Sequence, residues 1–92
     1  MERYSARKVD ELGRIALHSE LRKKLGFEAG VKISLATIGS IAVIQRTDSD
    51  GCEISELGMF TVPHEIRQKL AWATGSEVAV YHTDALLILK AI

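Results

Sequence analysis

The sequence predicts a mostly β fold with short helices, built from two tandem β-α-β-β repeats. Shifting the chain by 45 positions aligns residues 11–45 with residues 56–90 without a gap. The shift superimposes glycines, apolar positions and whole segments, such as Glu11-Leu12-Gly13 on Glu56-Leu57-Gly58. One copy of about 40 residues is too small to bury its own apolar faces. The two copies are therefore expected to pack together.

Each repeat begins with a short strand that leads into a helix. Residues 14–17 and 59–62 follow a Leu-Gly turn, in which glycine permits a positive φ. Ser19 is a favourable N-cap for the first helix. Pro63 suits the first helical position of the second. The sequence therefore predicts helices that start near these two residues.

The two helices are expected to end differently. Leu21 and Leu25 lie four residues apart and predict a buried stripe on the first helix, as do the equivalent residues of the second. Gly26 can end the first helix in the left-handed conformation. The second repeat has Ala71 at this position, so we expect its helix end to be less sharply specified.

A β-hairpin completes each repeat. Residues 32–35 alternate polar and apolar, and residues 41–44 return as a buried strand after the turn at Gly39-Ser40. The second repeat has the same pattern after the shift. The segment between the repeats is polar and rich in turn-forming residues. The chain is thus divided into a first repeat (1–46), a linker (47–52) and a second repeat (53–92).

Charge divides the chain into two unlike halves, although the net charge is zero. Residues 1–46 carry nine basic and five acidic side chains, a net charge of +4. Residues 47–92 carry three basic and seven acidic side chains, a net charge of −4. Such asymmetry predicts that the first half meets a polyanion while the second half does something else.

Other features exclude several classes of protein. No apolar run reaches the length of a membrane span, and the N-terminal residues lack the apolar core of a signal peptide, which predicts a cytoplasmic protein. The three histidines and the single cysteine lack the paired spacings of a zinc site. No glycine-rich phosphate loop or nucleophile elbow is present. We therefore expect no enzyme activity, no cofactor and no metal.

Two segments carry a family resemblance. Arg7–Ile15 reads RKVDELGRI and Glu20–Gly26 reads ELRKKLG. Both resemble the N-terminal domain of the bacterial AbrB/SpoVT transition-state regulators, and the second repeat resembles it again. The resemblance covers residues 7–46 and 53–91. It implies a swapped-hairpin β-barrel, in which two units interlace their hairpins. The sequence departs from the family pattern at Leu17-His18-Ser19, where an apolar-proline pair is usual.

The resemblance also implies a function, transcription regulation by binding double-stranded DNA. Arginine suits this role because its guanidinium grips phosphate or reads guanine in the major groove. The second repeat has non-basic residues at most of the matching positions, and only Arg67 keeps its charge. We therefore expect the first repeat to bind DNA and the second to support dimerisation or higher oligomerisation. The implied DNA-binding residues are Arg7, Lys8, Arg14, Arg22 and Lys23.

The sequence leaves the architecture and one alternative function open. The repeats can pair within one chain or between two chains; charge favours the second, because it sets two basic faces side by side. The alternative function is an antitoxin-like or purely protein-binding oligomerisation module. The chain ends at Ile92 with no extension that could wrap a toxin, which favours the regulator.

Overall fold

The computed structural model describes residues 2–92 of the chain, and side chains from residue 5 onward. Eight strands and two helices form a mostly β fold, in which the larger sheet curls into half a barrel. The predicted order of strand, helix and hairpin is observed twice. In chain order the elements are β1 (Glu2–Lys8), β2 (Arg14–Ala16), α1 (Ser19–Leu25), β3 (Lys32–Ile38), β4 (Ile41–Arg46), β5 (Cys52–Glu53), β6 (Met59–Thr61), α2 (His64–Leu70), β7 (Glu77–His82) and β8 (Leu87–Ala91).

Strands from both repeats are interleaved in one six-stranded sheet of order β1-β7-β8-β4-β3-β5. Every neighbouring pair is antiparallel. The pairing between repeats therefore lies within the chain, and the charge-based prediction of pairing between chains is wrong for this structure. The physical reason is that the edge of each hairpin has backbone N–H and C=O groups to satisfy, and β1 and β5 of the same chain pair with these edges at β7 and β3. Cys52, assigned to the linker, begins β5 and pairs with Ile33.

A two-stranded ribbon of β2 and β6 joins the repeats at a second place. Ile15 lies directly opposite Phe60, its equivalent after the 45-residue shift. Val43 and Ile88 of β4 and β8 are likewise equivalent and opposite one another. The two halves of the chain thus meet at matching positions, and their apolar side chains share one core.

Both repeats contribute side chains to the core, but the apolar side chains of α1 are more deeply buried than those of α2. Leu21 and Leu25 of α1 are buried, as predicted, whereas Ile66 and Leu70 of α2 are only half-buried against the core. Trp72 is buried behind α2, in the position that Phe27 takes behind α1. No helix among residues 2–92 has the length and apolar character needed to cross a membrane.

The helix starts differ slightly from the prediction. His18 is the N-cap of α1, one residue before the expected Ser19, and no side chain caps the helix by a hydrogen bond. Pro63 is the N-cap of α2 and not its first helical residue. Proline fits this place as well, because a φ of −54° is one that its ring already favours.

The helix ends overturn the expectation for Ala71. Gly26 and Ala71 both adopt the left-handed conformation, with φ values of 70° and 58°. The next residue closes each helix in the same way: the Trp72 N–H donates to the Arg67 carbonyl at 2.8 Å, and the Phe27 N–H donates to the Arg22 carbonyl at 2.8 Å. The sheet and core after the helix impose this cap, so alanine bears strain that glycine would avoid.

We therefore expect Ala71→Gly to stabilise the protein. Removing the strain of a left-handed alanine should stabilise the folded state by roughly 1–2 kcal/mol. The greater backbone freedom of glycine stabilises the unfolded chain and offsets part of this gain. The net increase in the free energy of unfolding should be about 0.5–1 kcal/mol, measured by urea denaturation. The matching replacement Gly26→Ala should destabilise, and a neutral result for both would show that the cap stores no strain.

Candidate nucleic-acid interface

The turn between β1 and β2 is organised by Asp10. Its Oδ1 accepts hydrogen bonds from the backbone N–H groups of Leu12 and Arg14, at 2.9 and 2.7 Å. Its Oδ2 accepts from the Arg14 Nε at 2.7 Å in an ion pair. Asp10 therefore both forms the turn and orients Arg14. At the equivalent position of the second repeat, the Ser55 Oγ accepts a hydrogen bond from the Met59 N–H at 3.2 Å, with no ion pair beside it among the described residues.

These contacts set the charge state of Asp10. The backbone N–H of Arg14, followed by its side chain and the Leu12 N–H, lowers the pKa of the carboxyl below its ordinary value. Stability from a lowered pKa is present above the unfolded-state value of about 3.9 and is lost as the pH falls toward the folded-state value. The ionised form is thus the one that holds Arg14 at neutral pH.

Acid should therefore weaken the fold partly through Asp10. Below about pH 4 we expect the free energy of unfolding to fall as the carboxylate is protonated. Asp10→Asn should lower stability at neutral pH and flatten this acid limb, since asparagine does not titrate. Urea unfolding of both proteins across the acid range checks the prediction. Identical slopes for the two would contradict it.

Lys8 and Arg14 border one shallow groove, named here the turn groove. Its volume is about 560 Å³, and its other wall is the Thr74–Gly75 loop of the second repeat. The loop is held in place because the Gly75 N–H donates to the Val9 carbonyl at 2.8 Å. Lys8 is exposed and forms no ion pair or side-chain hydrogen bond with the described residues. The structure therefore brings these two of the five predicted residues together.

Arg7 is fastened at the start of α1. It is half-buried, and its Nη2 lies 2.9 Å from Nδ1 of His18. A guanidinium only donates hydrogen bonds, so Nδ1 of His18 must accept, which places a ring proton on Nε2. The Nε of Arg7 is buried without a partner among the described residues. Arg7 thus links the end of β1 to the N-cap of α1, with only part of its guanidinium available to a ligand.

Arg22 is half-buried and covers a turn of the other repeat. Its Nε points to the Leu17 carbonyl at 3.4 Å. Its guanidinium occupies the space beside Gly58 (φ +76°), where a Cβ would come within 2.5 Å of Nε. The Leu17 N–H also donates to the Gly58 carbonyl at 3.1 Å. Arg22 thus has a structural role that the sequence analysis did not assign to it.

Arg67 makes the equivalent contact in the other direction, from the second repeat to the Gly13 turn of the first. Its Nε donates to the Val62 carbonyl at 3.0 Å, and its guanidinium lies where a Cβ on Gly13 would meet it at 2.5 Å. Arg22 on Gly58 and Arg67 on Gly13 are called the arginine clamps below. Sequence contains a signal for them: among the five predicted DNA-binding positions, the only one with a basic equivalent in the second repeat is Arg22, which matches Arg67. The turn carrying Arg14 is therefore held by a residue of the acidic repeat.

Lys23 lies apart from the other four predicted residues. It is exposed and lines a different groove, at the carboxyl end of α1, together with Lys24 and Arg46. The predicted DNA-binding residues are thus distributed over four places: the turn groove, the start of α1, the Gly58 turn and the end of α1. Within residues 2–92 no group of His, Cys, Asp or Glu side chains is arranged to hold a metal ion.

Comparisons with known proteins establish a similar fold. No family model matches the chain, and no curated protein matches it. Its structure is similar to the solution structure of PHS018 from Pyrococcus horikoshii, with a TM-score of 0.52 and 18% sequence identity. The alignment covers the whole of this chain and 92% of that one. At this identity the likeness concerns the fold alone.

Proposed function

We propose that this chain is a DNA-binding transcriptional regulator of the AbrB/SpoVT type, with two repeats interlaced as a swapped-hairpin β-barrel. The observation that carries the proposal is the difference between matched turns. In the first repeat the turn bears Lys8 and an Arg14 oriented by a carboxylate; in the second, Glu53 and Met59 stand at the same positions. The two turns have equivalent backbones but different charges, as expected if only the first repeat binds DNA.

The geometry suits a phosphate backbone better than base readout. Arg14 is tied to Asp10, and Arg22 and Arg67 are engaged in the clamps, so few side chains project far. Each helix has seven residues, too short for the usual recognition helix in the major groove. We therefore propose that sequence preference arises mainly from DNA shape and deformability. Assembly of chains into a homodimer or higher oligomer would align several turn grooves along one duplex.

The proposal is tested by fluorescence-anisotropy titration of AT-rich and generic duplexes across a salt series. The double variant Lys8→Ala/Arg14→Ala should bind about tenfold more weakly, and the slope of log K against log salt should become shallower by about two. The matched control Lys69→Ala/Lys90→Ala removes the same charge from exposed sites of the second repeat. The affinity of this control for each duplex should be close to that of the unaltered protein. Equal losses in both variants would overturn the assignment to the first repeat.

Exposed leucines favour a second candidate, the protein-binding module. Leu12 and Leu57 stand at equivalent turns and are 64% and 78% exposed. Burying such side chains against a partner is favourable. If no duplex binds even at low salt, and Leu57→Ser alters the mass measured by light scattering, this second function replaces the first.

A further inference from the structure

A groove at the carboxyl end of α1 is separate from the turn groove; it is named here the α1 groove. Its volume is about 440 Å³. Lys23, Lys24 and Gly26 form one wall, Arg46 at the end of β4 forms another, and Asp84 lies on the β7–β8 side. The groove therefore combines three cations with one carboxylate.

The three cations are available to a ligand. None of Lys23, Lys24 and Arg46 forms an ion pair or a side-chain hydrogen bond with the described residues. At the end of α1 the carbonyls of Arg22 and Lys23 accept hydrogen bonds from the backbone N–H groups of Phe27 and Gly26. Arg14, by contrast, is already paired with Asp10 at 2.7 Å. These three cations are thus not paired with a carboxylate among the described residues.

Arg46 is seated on the helix end. Its Nη1 lies 3.1 Å from where a Cβ on Gly26 would be, so the guanidinium lies close over the glycine. In the second repeat both partners change together: Ala71 replaces Gly26 and Ala91 replaces Arg46. Gln68 stands in place of Lys23. The contact between Gly26 and Arg46 is therefore found in the first repeat only, the same repeat that carries the turn groove.

The positive charge continues beyond the groove. Arg46 also borders a neighbouring groove of about 470 Å³, together with Lys32 and one carboxylate, that of Asp48. Lys23 and Lys24, then Arg46, then Lys32 thus follow one another across two adjoining grooves. A single small anion would occupy one of them, whereas an extended polyanion can contact both. Arginine can pair bidentately with a phosphodiester, and lysine adds point charges beside it.

We infer that the α1 groove binds a second stretch of the DNA phosphate backbone, outside the part that meets the turn groove. The inference rests on the proposed function and extends it, because it names Lys24, Arg46 and Lys32 as contacts. Asp84 repels phosphate and so confines the backbone to the side of the groove where Lys23, Lys24 and Arg46 lie. The consequence is a longer DNA footprint than the turn groove alone would require.

The test measures affinity for duplexes of increasing length. Lys24→Ala/Arg46→Ala should bind the longest duplex about tenfold more weakly, with a salt slope shallower by about two, and should bind the shortest duplex as the unaltered protein does. Arg46→Lys should retain most of the affinity. Lys69→Ala/Lys90→Ala serves as the control of equal charge, and thermal unfolding verifies that each variant is folded.

The outcomes separate this inference from the proposed function. If Lys24→Ala/Arg46→Ala binds every duplex normally while Lys8→Ala/Arg14→Ala does not, the α1-groove inference is overturned and the proposed function stands. If only the α1-groove variant loses affinity, the inference is supported and the turn groove is not the main contact. If the unaltered protein binds no duplex, both are overturned.

Discussion

Gly13→Ala is expected to lower the free energy of unfolding by about 2–3 kcal/mol. Two costs combine. A Cβ at φ +76° strains the backbone by roughly 1–2 kcal/mol. The same Cβ would meet the Arg67 guanidinium within 2.5 Å, so the arginine must leave and its hydrogen bond to the Val62 carbonyl is lost, at about 1 kcal/mol. Thermal unfolding should show a drop of roughly 4–8 °C for each kcal/mol.

The chain offers a matched control for the clamp. Gly30 has a φ of +86° but open space around the Cβ position, so Gly30→Ala bears the backbone strain alone. The difference between the two variants measures the clamp. A double-mutant cycle sharpens the comparison: Arg67→Ala should cost less in the Gly13→Ala background than alone. Equal costs for Gly13→Ala and Gly30→Ala would contradict the clamp.

On the proposed function, Arg67→Ala should also weaken DNA binding, although Arg67 is not proposed to contact DNA. It loosens the turn that presents Arg14, which is held by the Val62 N–H on the Gly13 carbonyl at 2.9 Å. Arg67 is therefore unsuited as a neutral control for first-repeat charges, although it lies in the acidic half of the chain. This dependence of one repeat on the other is why the two halves cannot be tested as independent domains.

Phe60→Ala, a substitution in the core, is expected to lower the free energy of unfolding by about 3–5 kcal/mol, more than Gly13→Ala does. Phe60 is 1% exposed and faces Ile15 across the ribbon, so its removal opens a cavity at the junction of the repeats. Because both repeats share one sheet and one core, they should unfold together at a lower denaturant concentration. Fluorescence of Trp72 and far-ultraviolet circular dichroism should report the same midpoint.

Thr61→Ala is the control in the same strand, because Thr61 is exposed. It should change stability by no more than about 0.5 kcal/mol. Two separate transitions for Phe60→Ala would mean that the repeats fold independently. At concentrations too low for whole chains to associate, pairing of the repeats within the chain predicts a midpoint that is independent of protein concentration, whereas pairing between chains would make it rise with concentration.

Several features of the fold could be predicted from local sequence. The repeat, the turns at Gly13 and Gly58 and the hairpin strands follow from patterns within one segment. The role of Asp10 was also readable, since an aspartate that bonds its own turn acts over four residues. The end of α2 was not, because the left-handed alanine is imposed by Trp72 and the sheet beyond it.

The sequence by itself determined the helix and the hairpin of each repeat and which repeat is basic, but not the strands β1 and β5 that precede them. Periodicity, turn chemistry and charge act locally, so they are visible without knowing what packs against what. Only the tertiary structure decided that the repeats pair within the chain, that Arg22 and Arg67 cover each other's turns and that Lys23 joins Arg46. Those contacts join residues 20 or more positions apart, and their partners are set by strand pairing across the core.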